Sequence, residues 1–311
     1  MVGSQLNVAP RPREAIRNRL QHALTHEPAN FLTNRVKRFV ARNVFRWLPV
    51  RVGPARMYMN PSNTMSLVSY VLDTYEWREL SFARALVQPG DTVLDVGANI
   101  GYYTLNLARW VGPSGTVYAF EPDPTNFAIL QKNVSVNSLK NVRIHNCALT
   151  DYDGDAILYR SKDNTGDYSL TPRFDDAARP VPVMTRRLDT LARELERTPS
   201  FLKIDVQGFE PSVLLGGSHS LDRWKPKPSI LFEFEPALLV RAGFAPADLL
   251  RSLAARHYRI GQVTDHGLIE IDQFDFENFS RWAGASCNLL AIAGEGAPVG
   301  LVRGLEAPTG R

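Results

Sequence analysis

Four charged side chains stand where a buried strand would be apolar. They are Lys203 and Asp205 in FLKIDVQG, and Glu233 and Glu235 in ILFEFEP. Parallel strands covered on both faces are otherwise near-continuous hydrophobic runs. Within each pair the spacing is two, so both side chains project from one side of a sheet. A carboxylate at a strand end can orient a hydroxyl nucleophile or take its proton. Asp205 is the candidate base, with Glu233 and Lys203 as helpers. Lys203 could instead be the cation of a buried ion pair. Carboxylates without His or Cys would suit magnesium or calcium, but the sequence does not support a metal and none is predicted.

A second set of residues lies in VLDVGANIGYYTL, from Val93 to Leu105. The apolar run ends at Asp95, then Gly97, Asn99 and Gly101 precede helical spacing. Glycines there allow positive φ and let backbone approach a ligand. A nicotinamide enzyme would carry G-x-G-x-x-G, but Asn99 stands at the second glycine, and no G-x-x-x-x-G-K-[ST] phosphate loop occurs. The next apolar run ends in Phe120-Glu121-Pro122-Asp123. A carboxylate at that point can accept hydrogen bonds from both hydroxyls of a ribose. S-adenosylmethionine fits: it has a ribose, an adenine and a charged amino acid, and no phosphate. Asp95 would attract its ammonium, directly or through water. Methyl transfer from a sulfonium to oxygen is an in-line displacement, so alignment supplies much of the rate.

Both sets sit on an alternation that starts at Asp91. TVLDVGA, GTVYAFEP, VRIHNCAL, SFLKIDVQG, SILFEFEP, RIGQVT and SCNLLAIA read as strands. YYTLNLARWV, PTNFAILQKNVSVN, RRLDTLARELE, FEPSVLLGG and PADLLRSLAARHY read as helices. DGDAILYR adds a strand in an insertion, TGDYSLTPRFDD is loop-like, 267–271 is a short return strand and NFSRWAG a helical turn. Alternating strands and helices imply a parallel sheet covered on both faces. Ligands of such sheets bind at the carboxyl ends of strands. That is where Asp95, Glu121, Asp205 and Glu235 fall.

VLDVGANIGYYTL, VYAFEPDP, RRLDTL, FLKIDVQGFE and ILFEFEP together resemble the FkbM family of S-adenosylmethionine-dependent methyltransferases, over about Ser66 to Ala293. The resemblance implies a class I methyltransferase (Rossmann-like) α/β fold. This is a three-layer sandwich on a mostly parallel seven-stranded sheet whose last strand is antiparallel, here with a helical N-terminal extension. It implies O-methylation of a hydroxyl on a sugar, glycolipid or polyketide-type small molecule. Carried over by position, Asp95, Gly97, Asn99 and Gly101 would cradle the methionine part and Glu121 the ribose. Cys147 and Ala148, at the end of the third strand, would border the adenine. Tyr75 and Glu76, in TYEWREL, could line the pocket. Residue 207 is Gln where the family commonly has Glu, a mild departure that puts a base role for that side chain in doubt.

Charge and composition set the remaining bounds. Residues 1–60 hold eleven Lys/Arg and two Glu, net +9, in a chain of net +4. A basic segment on an acidic body suits an anionic partner. FLTNRVKRFVARNVFRWL, residues 31–48, has basic amphipathic helical spacing and could lie on an anionic membrane surface. Nucleic acid is the less favoured partner, because Asp205-Val-Gln-Gly lacks the N/D-P-P-Y turn of base N-methylases. A non-catalytic cofactor-binding protein is the other alternative. The expected division is a basic extension over 1–65, a methyltransferase domain over 66–293 and a tail over 294–311. With no long apolar run and no signal-type N-terminus, the expected location is cytoplasmic. Two cysteines, Cys147 and Cys287, and an isolated His22/His26 pair make no zinc site.

Overall fold

In the computed structural model the described residues are 49–59, 76–160, 168–172, 179–282 and 286–293. The 31–48 segment, Tyr75 and the 294–311 tail lie outside them. The chain divides into two units, Met1–Tyr75 and Glu76–Arg311. In the first, β1 (Val50–Val52) and β2 (Ala55–Met57) form an antiparallel hairpin around Gly53 and Pro54. Val50, Val52, Ala55 and Met57 are buried and the two arginines between them exposed, a period of two.

The second unit is built on the apolar runs. They form β3 (Thr92–Val96), β4 (Thr116–Phe120), β5 (Val142–His145), β9 (Phe201–Ile204), β10 (Ser229–Phe234), β11 (Tyr258–Thr264), β12 (Gly267–Glu270) and β13 (Cys287–Ala293). Their order across one eight-stranded sheet is β12-β11-β13-β10-β9-β3-β4-β5. β5, β4, β3, β9 and β10 are mutually parallel, and β13 runs antiparallel to β10. This is the expected doubly wound, Rossmann-like arrangement. The strand count differs from seven because Asp265 and His266 turn the chain back, so that β12 pairs with β11 as an edge strand. The order reverses between β3 and β9, the switch point where ligands of such sheets bind.

Three helices share one face: α1 (Trp77–Leu86), α2 (Tyr102–Val111) and α3 (Pro124–Val136). Asp95, Lys203 and Leu231 are in register across β3, β9 and β10 and project toward that face, as do Glu233 and its β13 partner Asn288. The other face carries an apolar core that includes Leu94, Phe120, Leu202, Phe232 and Leu250. It is covered by α4 (Leu188–Leu191), α5 (Glu210–Gly216), α6 (Ser218–Arg223), α8 (Pro246–Ala254) and α9 (Phe276–Trp282); the short α7 (Pro236–Arg241) follows β10.

Two predicted elements are corrected. VRIHNCAL is not one strand: β5 stops at His145, and β6 (Ala148–Thr150) joins a separate sheet. The break falls at Asn146, whose side-chain amide donates to the carbonyls of Glu121 and Pro122 at 2.8 and 3.0 Å. RRLDTLARELE is helical only over Leu188–Leu191, because Arg186 and Arg187 end β8 (Arg179–Arg187). β8 lies between β6 and β7 (Gly154–Arg160), in the order β6-β8-β7. Val183 and Thr185 alternate inward along it and are buried. Pairing on both sides outweighs the helical spacing of the following residues.

Candidate functional site

The turn after β3 brings backbone where a side chain could not fit. Gly97 has φ +82, and a Cβ there would lie 1.9 Å from the Asp205 carbonyl oxygen. The N–H groups of Gly97 and Ala98 both donate to the Phe120 carbonyl, at 3.0 and 2.9 Å. Asn99 also takes a left-handed conformation, φ 49, which Asn tolerates better than most residues. The buried Asn133 amide holds the Ile100 carbonyl at 2.7 Å, and Gly101, φ +97, opens α2. The result is a fixed loop joining β3 to the helix N-terminus.

Asp95 is fully buried beneath that loop. Its Oδ2 accepts from the Thr104 hydroxyl at 2.5 Å, while Oδ1 has no partner. Burial raises its pKa, and Lys203, in register on β9, counters it. A buried carboxylate oxygen without a donor is costly unless something fills the position. An ammonium, or water bound to one, would do so.

Glu121 is buried at the end of β4. The Asp123 N–H donates to Oε1 at 2.9 Å and the Asn99 N–H to Oε2 at 2.8 Å. A carboxylate has about four acceptor positions, so two remain for a pair of hydroxyls. Asp95 and Glu121 are thus the acceptors that could hold the two polar ends of S-adenosylmethionine, and the Gly97–Gly101 loop the backbone that could cradle it. Burial pushes the Glu121 carboxyl up to about 8. Ionised Glu121 accepts ribose hydroxyls better than the protonated acid, so the cofactor should favour the ionised form. Affinity for S-adenosylhomocysteine is therefore expected to rise by about threefold to tenfold from pH 7 to pH 9. Calorimetry in buffers of different ionisation enthalpy checks this, and proton release on binding is the expected signature. A flat profile with no proton release would overturn it.

Cys147 and Ala148 lie beyond the end of β5, in the turn and the first position of β6. Cys147 packs into that apolar core, and burial pushes its thiol up to about 11, so it offers an apolar wall and not a nucleophile.

On the switch-point side, the charged residues of β9 and β10 form one network. The Lys203 ammonium lies 2.6 Å from Asp205 Oδ2 and 4.8 Å from the centroid of the Tyr103 ring. The Tyr103 hydroxyl donates to Glu76 at 2.7 Å. Gln207, left-handed at φ 55, donates its amide to Asp205 Oδ1 at 3.1 Å and to Glu233 Oε2 at 2.6 Å. Beyond them Asn288 donates to Glu79 on α1 at 3.0 Å. Asp205, Glu233 and Lys203 thus lie in one network, and Tyr103 links Glu76 to it.

The carboxyls of this network divide into two states. Burial opposes ionisation of Asp205, but the Lys203 charge and the bonds from Lys203 and Gln207 hold it below the usual carboxylate range. Burial, then the Asp205 charge, pushes Glu233 well above that range. Burial also raises Glu76. Burial would lower Lys203, but Asp205, Glu76 and Asp95 outweigh it and raise its pKa. Asp205 thus stands between a paired cation, Lys203, and a carboxyl, Glu233, whose ionisation the site opposes.

Three contributors went unassigned in the sequence. Tyr103 reads as one more apolar residue of α2. Gln207 was a departure without a role, yet it joins the two carboxylates. Glu210, in FLKIDVQGFE, is buried and accepts from the Val206 and Gly208 N–H groups at 3.0 and 3.1 Å, which fixes the loop after β9. Burial pushes it up to about 7. Its only sequence signal was an acid inside an otherwise apolar segment. Among the described residues no group of three or more His, Cys, Asp or Glu could hold a metal ion, and no helix is long and apolar enough to cross a membrane.

Known proteins carry the same pattern. The family model described as "Methyltransferase FkbM domain" matches residues 95–260, and one for protein-L-isoaspartate(D-aspartate) O-methyltransferase matches residues 34–154. Methyltransferase 1 of Beauveria bassiana is 32% identical over 149 residues, 41% of this chain and 59% of that protein. The 31-O-demethyl-FK506 methyltransferase FkbM of Streptomyces tacrolimicus is 31% identical over 159 residues, 42% of this chain and 60% of that protein. The matched segment therefore spans about three fifths of these relatives. Among solved structures, methyltransferase FkbM of Methylobacillus flagellatus aligns with 83% of this chain and 60% of its own, at 16% identity and a TM-score of 0.40. The cofactor is S-adenosylmethionine. The loop under which Asp95 lies, the Glu121 strand end and the charged ends of β9 and β10 fall within the matched segment, and the chain belongs to the FkbM methyltransferase family.

Proposed function

We propose that the chain transfers a methyl group to a hydroxyl oxygen of a small molecule, of the sugar, glycolipid or polyketide class. The observation that carries this reading is Asp205, a carboxylate 2.6 Å from the Lys203 ammonium whose own carbonyl sits against Gly97 of the cofactor loop. A base one backbone contact from the cofactor loop suits an acceptor that must lose a proton as it is methylated. The name of the Streptomyces relative, an O-demethyl compound's methyltransferase, points the same way.

Bound S-adenosylmethionine supplies the electrophilic methyl group. The chain's own residues do the rest. Asp95 and Glu121 hold the two ends of the cofactor, and the rigid 97–101 turn fixes its direction. Asp205 accepts the hydroxyl proton at a carboxylate oxygen. Lys203 keeps Asp205 ionised before that step, and Gln207 fixes its rotamer. Glu233, protonated, can donate a hydrogen bond to a second oxygen of the acceptor and so orient a diol.

The acceptor can be found by mass spectrometry of glycolipid, polysaccharide and small-molecule fractions from cells with and without the gene. A species lighter by one methylene in the deletion strain is expected. With that acceptor, Asp205→Asn should lose about a hundredfold or more in kcat while S-adenosylhomocysteine affinity stays within about threefold. Near-normal turnover would remove Asp205 from the proton-transfer role. Methyl incorporation into RNA or DNA would instead support a nucleic-acid acceptor.

A further inference from the structure

The insertion between β5 and β9 places an arginine on the inner row of its sheet. Along β7, Ala156, Leu158 and Arg160 project to one side, Ile157 and Tyr159 to the other. Leu158 is buried and Ile157 exposed, so Arg160, the last residue of the strand, shares the inner side. A cation there needs an anion within reach. Asp123, in the turn after β4, is that anion. The Arg160 Nε donates to Asp123 Oδ2 at 2.5 Å, and a terminal guanidinium nitrogen donates to the Thr125 hydroxyl at 3.1 Å.

Asp123 is fully buried. Its Oδ1 caps α3, accepting from the N–H groups of Thr125 and Asn126 at 2.9 and 3.0 Å. Its own N–H donates to Glu121 Oε1 at 2.9 Å. One hydrogen bond thus separates the Arg160–Asp123 pair from the carboxylate assigned to the ribose. The cap uses Oδ1 alone, so the arginine on Oδ2 adds something that the helix does not need. It fixes the Asp123 carboxylate and offsets its charge, which otherwise opposes ionisation of Glu121. The strand end that delivers Arg160 is itself held. Tyr159 exchanges two backbone hydrogen bonds with Ser169, at 2.8 and 3.1 Å, and the Ser169 hydroxyl donates to the Gln207 carbonyl at 3.4 Å.

We propose that Arg160 is a positioning residue for the cofactor: through Asp123 it holds Glu121 in the orientation that accepts the two ribose hydroxyls. The insertion sheet is then part of the frame of the cofactor site and not an appendage to it. The proposal rests on the S-adenosylmethionine assignment, and the experiment separates the two.

Calorimetry measures binding of S-adenosylhomocysteine, and of its analogue lacking both ribose hydroxyls, to wild type, Arg160→Gln, Arg160→Met and Arg160→Lys. Thermal midpoints are recorded for each. Arg256→Gln, which breaks the ion pair of another part-buried arginine with Asp222 of α6, is the control. Members of one hydrogen-bond network couple strongly enough for Arg160→Gln and Arg160→Met to weaken S-adenosylhomocysteine by about fivefold to thirtyfold. Arg160→Lys keeps the charge beside Asp123 and should stay within about threefold of wild type, as should Arg256→Gln. For the analogue, the Arg160→Gln loss should shrink below about threefold, because Glu121 then has no hydroxyl to hold. Arg160→Met keeps the packing of the stem, so it remains informative if the glutamine variant unfolds. Wild-type affinity in a folded Arg160→Gln or Arg160→Met protein would overturn the proposal. So would an equal loss for both ligands, or an equal loss in Arg256→Gln, since either would mark a general loosening of the fold. A wild-type protein that binds no S-adenosylhomocysteine would overturn the cofactor site itself.

Discussion

Asp95→Asn is expected to weaken S-adenosylhomocysteine binding by about tenfold to a hundredfold, the equivalent of a lost hydrogen bond to a charged group. Asparagine keeps the shape of the side chain and an oxygen for the Thr104 hydroxyl, so the change isolates charge. The orphaned Oδ1 is the reason for the size of the effect. In a buried site without water an ammonium gains more from a carboxylate than it would at the surface. Titration calorimetry measures the loss, and a thermal scan without ligand shows whether the fold is intact. An Asp95→Asn protein with unchanged affinity would mean that the amino-acid end of the cofactor is held elsewhere.

Lys203→Met should produce the largest loss of stability, about 3–5 kcal/mol, as expected when one partner of a buried ion pair is removed. For a domain of this size that corresponds to a fall in Tm of roughly 10 °C. Methionine fills most of the volume, so the loss is electrostatic: Asp205, Glu76 and Asp95 would face one another without their cation. The pH dependence follows from the direction of each shift. In the wild type the Lys203 pKa is raised, so its contribution is complete below the ordinary lysine range and constant between pH 5 and 8. In the variant the three carboxyls would have raised pKa values. Stability is then fullest at acid pH and lost as pH rises. The gap between the two proteins should widen from pH 5 to pH 8 in urea titrations. A gap independent of pH would assign the Lys203 contribution to packing on the Tyr103 ring.

The parallel strands and the cofactor loop were legible because their signals are local. Apolar runs marked β3, β4, β9 and β10, and the Gly97–Gly101 spacing marked a backbone that must come close to something. Asp205 and Glu233 were legible because charge interrupts an apolar run. What stayed hidden depends on partners distant in sequence. Asn146 looks like any strand residue until its amide is needed by Glu121, 25 positions away. Most of β8 carries no strand signal because Pro180 and Pro182 break the pattern. They are tolerated because Tyr159, opposite Pro180, directs its N–H and C=O to Ser169 instead, so neither proline owes a ladder bond at that edge. Gln207 could be assigned only after the sheet order brought its neighbours together.

The near-contact between Gly97 and the Asp205 carbonyl constrains how this molecule can change over generations. A drift in either turn displaces the other, so the segment that grips the nucleoside and the segment that carries the base are inherited as one piece. Descendants that take up a new acceptor must therefore diverge around that crossing and not at it, in the surrounding wall and the insertion.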